Sequence, residues 1–478
     1  MMKRLTLLIL VLPLLAHSQR KGYTPKIEPC ACAFKADTAY HTKCAYLVVP
    51  EDRTRPKGRL VKLPFIIVES NNPNKRKDPV LFSGGGPGQS SLHPVTSIAR
   101  RSLLKDRDYI AFEQRGTQYA LPCLDCDSGI SEAVRQAYLR HQSVDSMVLA
   151  QIKRCRAKLA AQGIDLSAYN TDESTDDIED LRGALKIDSL NLLGISYSGG
   201  LMMNVLHQYP EHIRSLVLDS PLPEFVNIDE QELANFNQVL NTLLERCEKD
   251  SAGYTGLKQR FHTYFKALGK RQFPYDYQPK GAARPVRLYY GRRELLEIIH
   301  GAAEDFYGIK TVPYIISAMI KGNHAPYLKT YFDGLFGNHG GASGMRFSVY
   351  CSDKMAYADP DIIAQQEKIM PYLAGFHVND VYGPICDCWK VKAIDTATKK
   401  PFYSNVPALL GAGGMDDSCR PLYNDLIHQY LPNSQRVLFA ERQHAPLLNS
   451  YEGDLIIGQF LDHPNQKITS EKKEILVY

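Results

Sequence analysis

The strongest indication of the fold is the segment Leu190-Asn-Leu-Leu-Gly-Ile-Ser196-Tyr-Ser-Gly-Gly-Leu-Met-Met-Asn-Val-Leu-His-Gln-Tyr209. Its apolar start, Leu190–Leu193, predicts a buried strand, and apolar residues recur at helical spacing from Leu201 onward. No residues are left for a loop, so Ser196 falls on a sharp strand-to-helix turn. Such a turn lifts a serine hydroxyl above the carboxyl edge of a sheet, where the first amides of the helix can stabilise an oxyanion. The stretch therefore predicts a nucleophilic serine.

Two alternatives to this interpretation of Ser196 are open. Small residues must flank the serine because the strand and helix backbones nearly touch, and Gly194 meets that need. Ser198 stands where a second glycine is usual, but it fits less well as the nucleophile, because Ser196 would then occupy the first glycine position. The other alternative is that Ser196 is only a helix N-cap.

Predicted strands and helices alternate on both sides of this stretch. The predicted strands are Pro79–Ser83, Asp108–Glu113, Ser215–Asp219, Val406–Gly411 and Arg436–Ala440, preceded by a hairpin of Ala45–Pro50 and Leu60–Glu69. This alternation predicts an α/β fold with a mainly parallel, doubly wound sheet. From residue 221 to 401 only helices are predicted. We interpret this region as a helical cap inserted between two parts of the core, residues 19–220 and 402–478.

A serine nucleophile needs a base, and the base needs an acid that orients it. In a sheet of this kind the acid follows the serine and the histidine comes last. Asp416 and His444 lie just past the two strands predicted after the cap. Taken singly, Asp416 suits an Asx turn and His444 an ordinary loop histidine. Together they predict the triad Ser196, Asp416 and His444, with Asp417 as the nearest rival acid.

The oxyanion of such a reaction needs backbone donors. The amide of Tyr197 is the first candidate, and Gly85 and Gly86 of the turn Gly84-Gly-Gly-Pro-Gly88 supply the second. A phosphate-binding loop is the rival interpretation of these glycines. It fails because neither the Lys-Ser/Thr ending nor a long following helix is present.

Composition excludes few functions. The 478 residues are 44% hydrophobic and 23% charged, as in ordinary soluble enzymes, and the chain is longer than one compact core usually needs. Lys3 and Arg4 account for two charges of the net +5. The net charge of +3 that remains without them gives no reason to expect nucleic acid as a partner.

Residues 1–18 predict a signal peptide. Two basic residues precede the apolar run Leu5–Ala16, and small residues lie ahead of Gln19. The run is too short to span a bilayer, and no later stretch predicts a transmembrane helix. There is no cysteine beside the cleavage point, so a lipid anchor is not indicated. An uncleaved anchor is the alternative. We expect a periplasmic or extracellular protein without stable membrane insertion.

The chain contains eleven cysteines. In an exported protein most should pair, and the odd count leaves at least one free. The spacings Cys30-Ala-Cys32 and Cys386-Asp-Cys388 are too tight for zinc knuckles, and no histidine pair accompanies them, so we expect disulfides and no metal. Proximity in sequence predicts two pairings: Cys155 with Cys123 or Cys126, and Cys351 with Cys386 or Cys388.

Several motifs occur together here: Gly84-Gly-Gly-Pro-Gly88, Glu113-Gln-Arg-Gly-Thr117, Gly194-Ile-Ser-Tyr197, the loops of Asp416 and His444, Cys44–Arg53, Cys155–Leu159 and Cys388-Trp389. Their combination resembles the proline iminopeptidase and tripeptidyl aminopeptidase group of serine peptidases, which are α/β-hydrolases. The resemblance runs from about Cys44 to Pro446. It implies the α/β-hydrolase fold, the same triad, and oxyanion amides from Tyr197 and the Gly85–Gly86 turn. We expect no cofactor.

The chain departs from the group at three positions: Glu113 replaces an aspartate, and Gln118 and Ser198 replace glycines. These three departures bear on which substrate the protein binds more than on how the substrate is hydrolysed. Arg115 we interpret as structural. Acidic cap residues of this group receive the free amino terminus of the substrate, and Asp353 and Glu304 are the candidates here. Asp353 comes first, because Val349-Tyr-Cys-Ser-Asp353 matches a Cys-x-acid segment of the group.

We therefore expect an exported serine aminopeptidase that releases N-terminal residues or short peptides from peptides with a free N-terminus. An esterase or amidase acting on small non-peptide substrates keeps the same triad and is the first alternative. A non-catalytic envelope binding protein is the second, and the complete set of serine, aspartate and histidine argues against it.

Overall fold

The computed structural model describes residues 22–337 and 342–478. The predicted signal peptide lies outside the described residues. The strands are β1 Lys26–Pro29, β2 Thr42–Pro50, β3 Leu60–Val68, β4 Val80–Ser83, β5 Tyr109–Phe112, β6 Leu190–Ile195, β7 Ile213–Asp219, β8 Phe273–Tyr277, β9 Val286–Tyr290, β10 Ala408–Gly413, β11 Ser434–Phe439 and β12 Ile475–Val477.

The helices alternate with these strands. They are α1 Asp127–Leu139, α2 Val144–Ala161, α3 Thr171–Ala184, α4 Tyr197–Gln208, α5 Glu232–Asp250, α6 Leu257–Leu268, α7 Arg292–Glu304, α8 Val312–Ile320, α9 Ala325–Leu335, α10 Ser343–Val349, α11 Pro360–Ile369, α12 Gly383–Trp389, α13 Pro421–Tyr430 and α14 Tyr451–Asp462.

A ten-stranded sheet organises the core, in the order β1-β2-β3-β5-β4-β6-β7-β10-β11-β12. From β5 to β11 neighbouring strands are parallel, whereas β1, β2, β3 and β12 pair antiparallel at the two edges. The mainly parallel α/β sheet and the β2–β3 hairpin are confirmed. The carboxyl ends of the parallel strands share one edge, which brings the loops after β4, β6, β10 and β11 together.

Apolar residues of the central strands point alternately to the two faces of the sheet. Leu192 belongs to the cluster beneath α3, α4 and α13, whereas Leu193 belongs to the cluster beneath α14. Both faces are therefore covered, which explains why β4, β6 and β10 are almost continuously apolar.

Between β7 and β10 the chain leaves the sheet. Helices α5–α12 fill this insertion. Helices α5–α9 build an apolar core of their own, to which Tyr138 of α1 also contributes, whereas α10 and α12 pack into a cluster that includes Tyr197 of α4. The helical prediction missed the antiparallel hairpin of β8 and β9. Residues of β8 alternate between half-buried and exposed, so the hairpin lacks the buried run by which strands were recognised. The division of the chain at residues 221 and 401 stays a prediction.

Three disulfides cross-link the fold: Cys32–Cys44, Cys126–Cys155 and Cys351–Cys386. Each predicted pairing is present with one of its two expected partners. The free cysteines are Cys30, Cys123, Cys247, Cys388 and Cys419. None of the helices in residues 22–337 and 342–478 has the length and apolarity needed to cross a bilayer.

Candidate active site

Ser196 is the single residue between β6 and α4. Its backbone has φ 56° and ψ −125°, in the left-handed range that non-glycine residues rarely adopt. The turn is possible because Gly194 has no side chain: a Cβ there would lie 2.6 Å from the carbonyl oxygen of Ser198. Local sterics thus hold Ser196 at the tip of a strained turn, as the strand-to-helix pattern predicts.

The side chain of Ser198 stabilises this turn by hydrogen bonds. Its buried hydroxyl accepts a hydrogen bond from the Ile195 amide at 2.8 Å and lies 2.7 Å from the carbonyl oxygen of Ser83, to which it can donate. Because these contacts hold the hydroxyl inside the protein, Ser198 is a structural residue, and the geometry favours Ser196 as the nucleophile.

Asp416 and His444 form the expected pair past β10 and β11. His444 Nδ1 lies 2.8 Å from Asp416 Oδ2, while Asp416 Oδ1 accepts from the amides of Ser418 and Cys419 at 3.0 and 2.8 Å. Asp416 is almost fully buried. These bonds fix the imidazole ring by one nitrogen and leave the other available as a base.

The loop that carries His444 is tied to the end of β7. Ser220 Oγ accepts from the Ala445 amide at 3.0 Å, and Asp219 accepts from the amides of Leu447 and Leu448 at 3.1 and 2.7 Å. Burial tends to lower the pKa of His444, but the charge and hydrogen bond of Asp416, together with Asp219, raise it to about 9. The ring therefore favours its protonated form when no substrate is present.

The Ser196 hydroxyl and His444 line the same cavity. Among the described residues the hydrogen-bond contact of this hydroxyl is the buried thiol of Cys419, at 3.8 Å, and not His444. Hydrogen bonds between catalytic groups are often long or poorly aligned in the free enzyme and tighten only when substrate binds. The proximity of Cys419 had no signal in the sequence.

The candidate oxyanion donors lie beside Ser196. Tyr197 begins α4, so its amide points out of the helix start. Gly85 lies against the nucleophile, since a Cβ there would be 3.1 Å from Ser196 Cβ and 2.8 Å from the Ile195 carbonyl oxygen. Arg346 of α10 donates to the Gly86 carbonyl oxygen, which fixes the turn from the insertion side. The structure thus brings Tyr197, Gly85 and Gly86 together, and Arg346 is a contact that the sequence analysis missed.

A cavity of about 510 Å³ opens above these groups, between the sheet edge and the insertion. Its charged side chains are mostly acidic: Asp127, Glu232, Glu304, Asp380 and Asp417, against the single arginine Arg346 and His444. Arg346 Nε donates to Asp380 at 2.6 Å, and its Nη2 donates to Asn379 Oδ1 at 2.8 Å. The remaining carboxylates give the cavity an acidic wall.

Glu232 is the most buried glutamate of that wall, with 7% of its surface exposed. Burial and the neighbouring carboxylate of Asp229 raise its pKa to about 8, although the Asn379 amide donates to it at 2.8 Å. The sequence analysis missed Glu232. Its only signal is its position at the start of α5, soon after the chain leaves β7, and carboxylates are common at helix starts.

The structure corrects the first choice for the amine-binding carboxylate. Asp353 is fully buried and accepts hydrogen bonds from Thr171 and Ser352, and it does not line the cavity. Residues Tyr350–Lys354 form a π-helical turn, which directs Asp353 to the start of α3. Glu304, the second choice, does line the cavity, with 52% of its side chain exposed. The rival acid Asp417 pairs with His300 instead of His444.

Arg115 has the structural role expected of it. The guanidinium is completely buried, with two nitrogens donating to Asp177 and a third donating to the carbonyl oxygens of Glu51 and Ala168. It ties the loop after β5 to α3, beneath the site.

A family model for the alpha/beta hydrolase fold matches residues 78–451, which include the strained serine turn and the Asp416–His444 pair. The chain belongs to the alpha/beta hydrolase family. The serine hydrolase class predicted from the sequence is confirmed at this level.

Its relatives carry both peptidase and esterase names. The tripeptidyl aminopeptidase of Streptomyces lividans is 26% identical over 207 residues, which are 40% of this chain and 37% of that protein. The serine protease Hip1 of Mycobacterium tuberculosis is 20% identical over 77% of this chain and 74% of its own. Carboxylesterase B of the same organism is 25% identical over 76% of this chain and 73% of its own. The chain thus spans little more than a third of the aminopeptidase, so the specific reaction is a matter for proposal.

Among solved structures, the proline iminopeptidase of Mycobacterium smegmatis matches 88% of this chain and 98% of its own, at 14% identity and a TM-score of 0.41. The resemblance predicted from the sequence is confirmed at the level of the alpha/beta hydrolase family, and the similarity to a tripeptidyl aminopeptidase agrees with the predicted group.

Proposed function

We propose that this chain is an exported serine aminopeptidase that releases N-terminal residues or short peptides from peptides with a free N-terminus. The observation that carries the proposal is the acidic wall of the cavity above Ser196. A neutral ester offers no group that would pair with a carboxyl group buried in this wall, such as that of Glu232, whereas the ammonium of a free N-terminus would pair with its ionised form.

In the proposed reaction Ser196 Oγ attacks the carbonyl carbon of the peptide bond while His444 accepts the hydroxyl proton. Asp416 holds the resulting imidazolium. The amides of Tyr197 and of the Gly85–Gly86 turn stabilise the oxyanion, and His444 then donates its proton to the departing amine. Water, activated by the same base, hydrolyses the acyl-enzyme.

The free amino terminus would lie against Glu232 and Glu304. An apolar pocket distinguishes one added group by only about 1–3 kcal/mol. A carboxylate discriminates more strongly, because a free ammonium can form a charged hydrogen bond with it and an acylated terminus cannot. The ammonium of the substrate would also stabilise the ionised form of Glu232, whose pKa in the free protein is about 8.

An esterase or amidase acting on small non-peptide substrates is the second candidate, and the similarity to carboxylesterase B over 76% of this chain favours it. The two are separated by comparing kcat/KM for an amino-acid arylamide, its N-acetylated counterpart and a short-chain aryl ester. The aminopeptidase proposal predicts a large preference for the free amine over the acetylated arylamide. Equal rates on both arylamides, with the ester far ahead, would contradict it.

Export is supported by the predicted signal peptide and by the three disulfides of the fold. Sequencing the N-terminus of the mature protein recovered outside the cytoplasm tests this part of the proposal. We expect a chain that begins near Gln19, whereas recovery of the chain with its initial methionine from the cytoplasm alone would contradict export.

A further inference from the structure

His300, Glu304 and Asp417 converge at the acidic wall. One nitrogen of the imidazole and one oxygen of each carboxylate lie within 4.8 Å of one another. His300 Nε2 is 3.2 Å from Asp417 Oδ2 and 3.7 Å from Glu304 Oε1. Glu304 and Asp417 both line the cavity, so the cluster is open to ions from solvent.

Two of these atoms have no hydrogen-bond partner. Asp417 Oδ2 and His300 Nε2 are both buried, and although they face each other, neither has a hydrogen bond of acceptable geometry. Only 5% of Asp417 is exposed. The two groups form an ion pair at 3.2 Å without a hydrogen bond of good geometry, and a cation held by both would satisfy each of these buried atoms.

The imidazole is also held in place. The His300 ring packs edge-on against Phe236 at 5.2 Å and against Phe376 at 5.6 Å between ring centroids. His300 and Glu304 are four residues apart on α7, so their side chains share one face of the helix. A fixed ring with a helical neighbour four residues on is a favourable start for metal binding.

We propose that His300, Glu304 and Asp417 bind a divalent transition-metal ion of the zinc type. One imidazole and two carboxylates are ligands that Zn²⁺ accepts, at about 2.0–2.2 Å, which places ligand atoms roughly 3–3.5 Å apart. The distance from His300 to Asp417 already fits. The exposed side chain of Glu304 has room to move to the shorter distance that a shared ion requires. Cavity solvent or a substrate group would complete the coordination.

A bound ion would inhibit the hydrolase. It would occupy Glu304, one of the two carboxylates proposed to receive the substrate amine. It would also pull on Asp417, which directly follows the residue that orients His444. Binding of the ion itself does not depend on which bond the enzyme hydrolyses, so failure of the proposed function leaves the metal site testable.

The test is a titration of the chelator-treated protein with Zn²⁺ and, separately, with Co²⁺, followed by calorimetry and visible absorption. We expect one ion per chain and a cobalt spectrum without the near-ultraviolet charge-transfer band that thiolate ligands produce, because the free cysteines are not ligands. His300→Gln and Glu304→Gln should each weaken binding by about 100-fold. Zn²⁺ should slow hydrolysis of a substrate by wild type at concentrations that leave Glu304→Gln unaffected.

The matched control is His212→Gln. His212 also lies beside two carboxylates, Glu179 at 3.2 Å and Glu211 at 3.9 Å, but in the described part of the chain these three groups do not converge as a set of metal ligands. This variant should bind as wild type does. Glu304 is largely exposed, so its variant should fold even if His300→Gln does not. Absence of stoichiometric binding, a thiolate band, or unchanged affinity in Glu304→Gln would overturn the proposal.

Discussion

Glu232→Gln should lower kcat/KM for substrates with a free amine, because it removes a negative charge from the acidic wall. The rest of the site should stay in place. The amide is nearly isosteric with the carboxyl group, and its oxygen can still accept from the Asn379 amide, which lies 2.8 Å from Glu232. Only the negative charge is lost. The variant therefore tests the charge and not the packing.

The expected size follows from the burial of Glu232. A hydrogen bond to a charged group contributes about 1.5–3 kcal/mol, and each 1.4 kcal/mol corresponds to about tenfold. The pKa of Glu232 in the free protein is about 8. At pH 8 the carboxyl group is about half ionised. Completing its ionisation when the substrate binds takes well under 1 kcal/mol from the free energy of the charged hydrogen bond. We expect kcat/KM for an amino-acid arylamide to fall about 10–100-fold at that pH.

The assay compares this arylamide with a neutral aryl ester on the same enzyme preparations. Ester hydrolysis should change less than about threefold, since the ester carries no ammonium. Glu230→Gln is the matched control, because Glu230 lies two residues earlier but does not line the cavity. It should leave both substrates unaffected. If Glu232→Gln lowers kcat/KM equally for the arylamide and the ester, or for neither, then Glu232 does not bind the amine of the substrate.

Two further predictions concern His444, the proposed base, and the strand-to-helix turn that carries Ser196. The pKa of His444 is about 9, and the base must be neutral to accept a proton, so kcat/KM for a neutral ester should rise with pH up to about 9. A plateau already reached near pH 7 would contradict this. Ser198→Ala removes the hydroxyl that holds the Ile195 amide, so it should lower the free energy of unfolding, measured in urea, by about 1–3 kcal/mol. It should keep fluorophosphonate labelling, and loss of labelling without loss of stability would point to Ser198 as the nucleophile.

The parts of the site that the sequence predicts well depend on local constraints. A strand, one residue and a helix leave a single conformation for Ser196, and only glycine fits at position 194. Asp416 and His444 were located because carboxyl ends of parallel strands meet at one edge of the sheet. In each case the residue lies shortly after a strand that its apolar run makes recognisable in the sequence.

The walls of the cavity could not be predicted in this way. Glu232 faces the site only because α5–α12 fold back over the sheet edge, and this depends on contacts far apart in sequence. Asp353 was misplaced because a π-helical turn changes the direction of its side chain. Cys351, two residues earlier, does form the expected disulfide, but that bond does not determine where Asp353 points. The cluster of His300, Glu304 and Asp417 combines a helix of the insertion with a loop of the core, so no local spacing indicates it.

The central claim is that Ser196 is the nucleophile of a serine hydrolase. Its most direct test is labelling with a fluorophosphonate probe, followed by mass mapping of the modified peptide in wild type, Ser196→Ala and Ser198→Ala. We expect one adduct on Ser196, no adduct in a folded Ser196→Ala variant, and hydrolysis by that variant reduced by about 10⁴-fold or more. An adduct on another residue of wild type, or full activity in Ser196→Ala with loss in a folded Ser198→Ala, would contradict that claim.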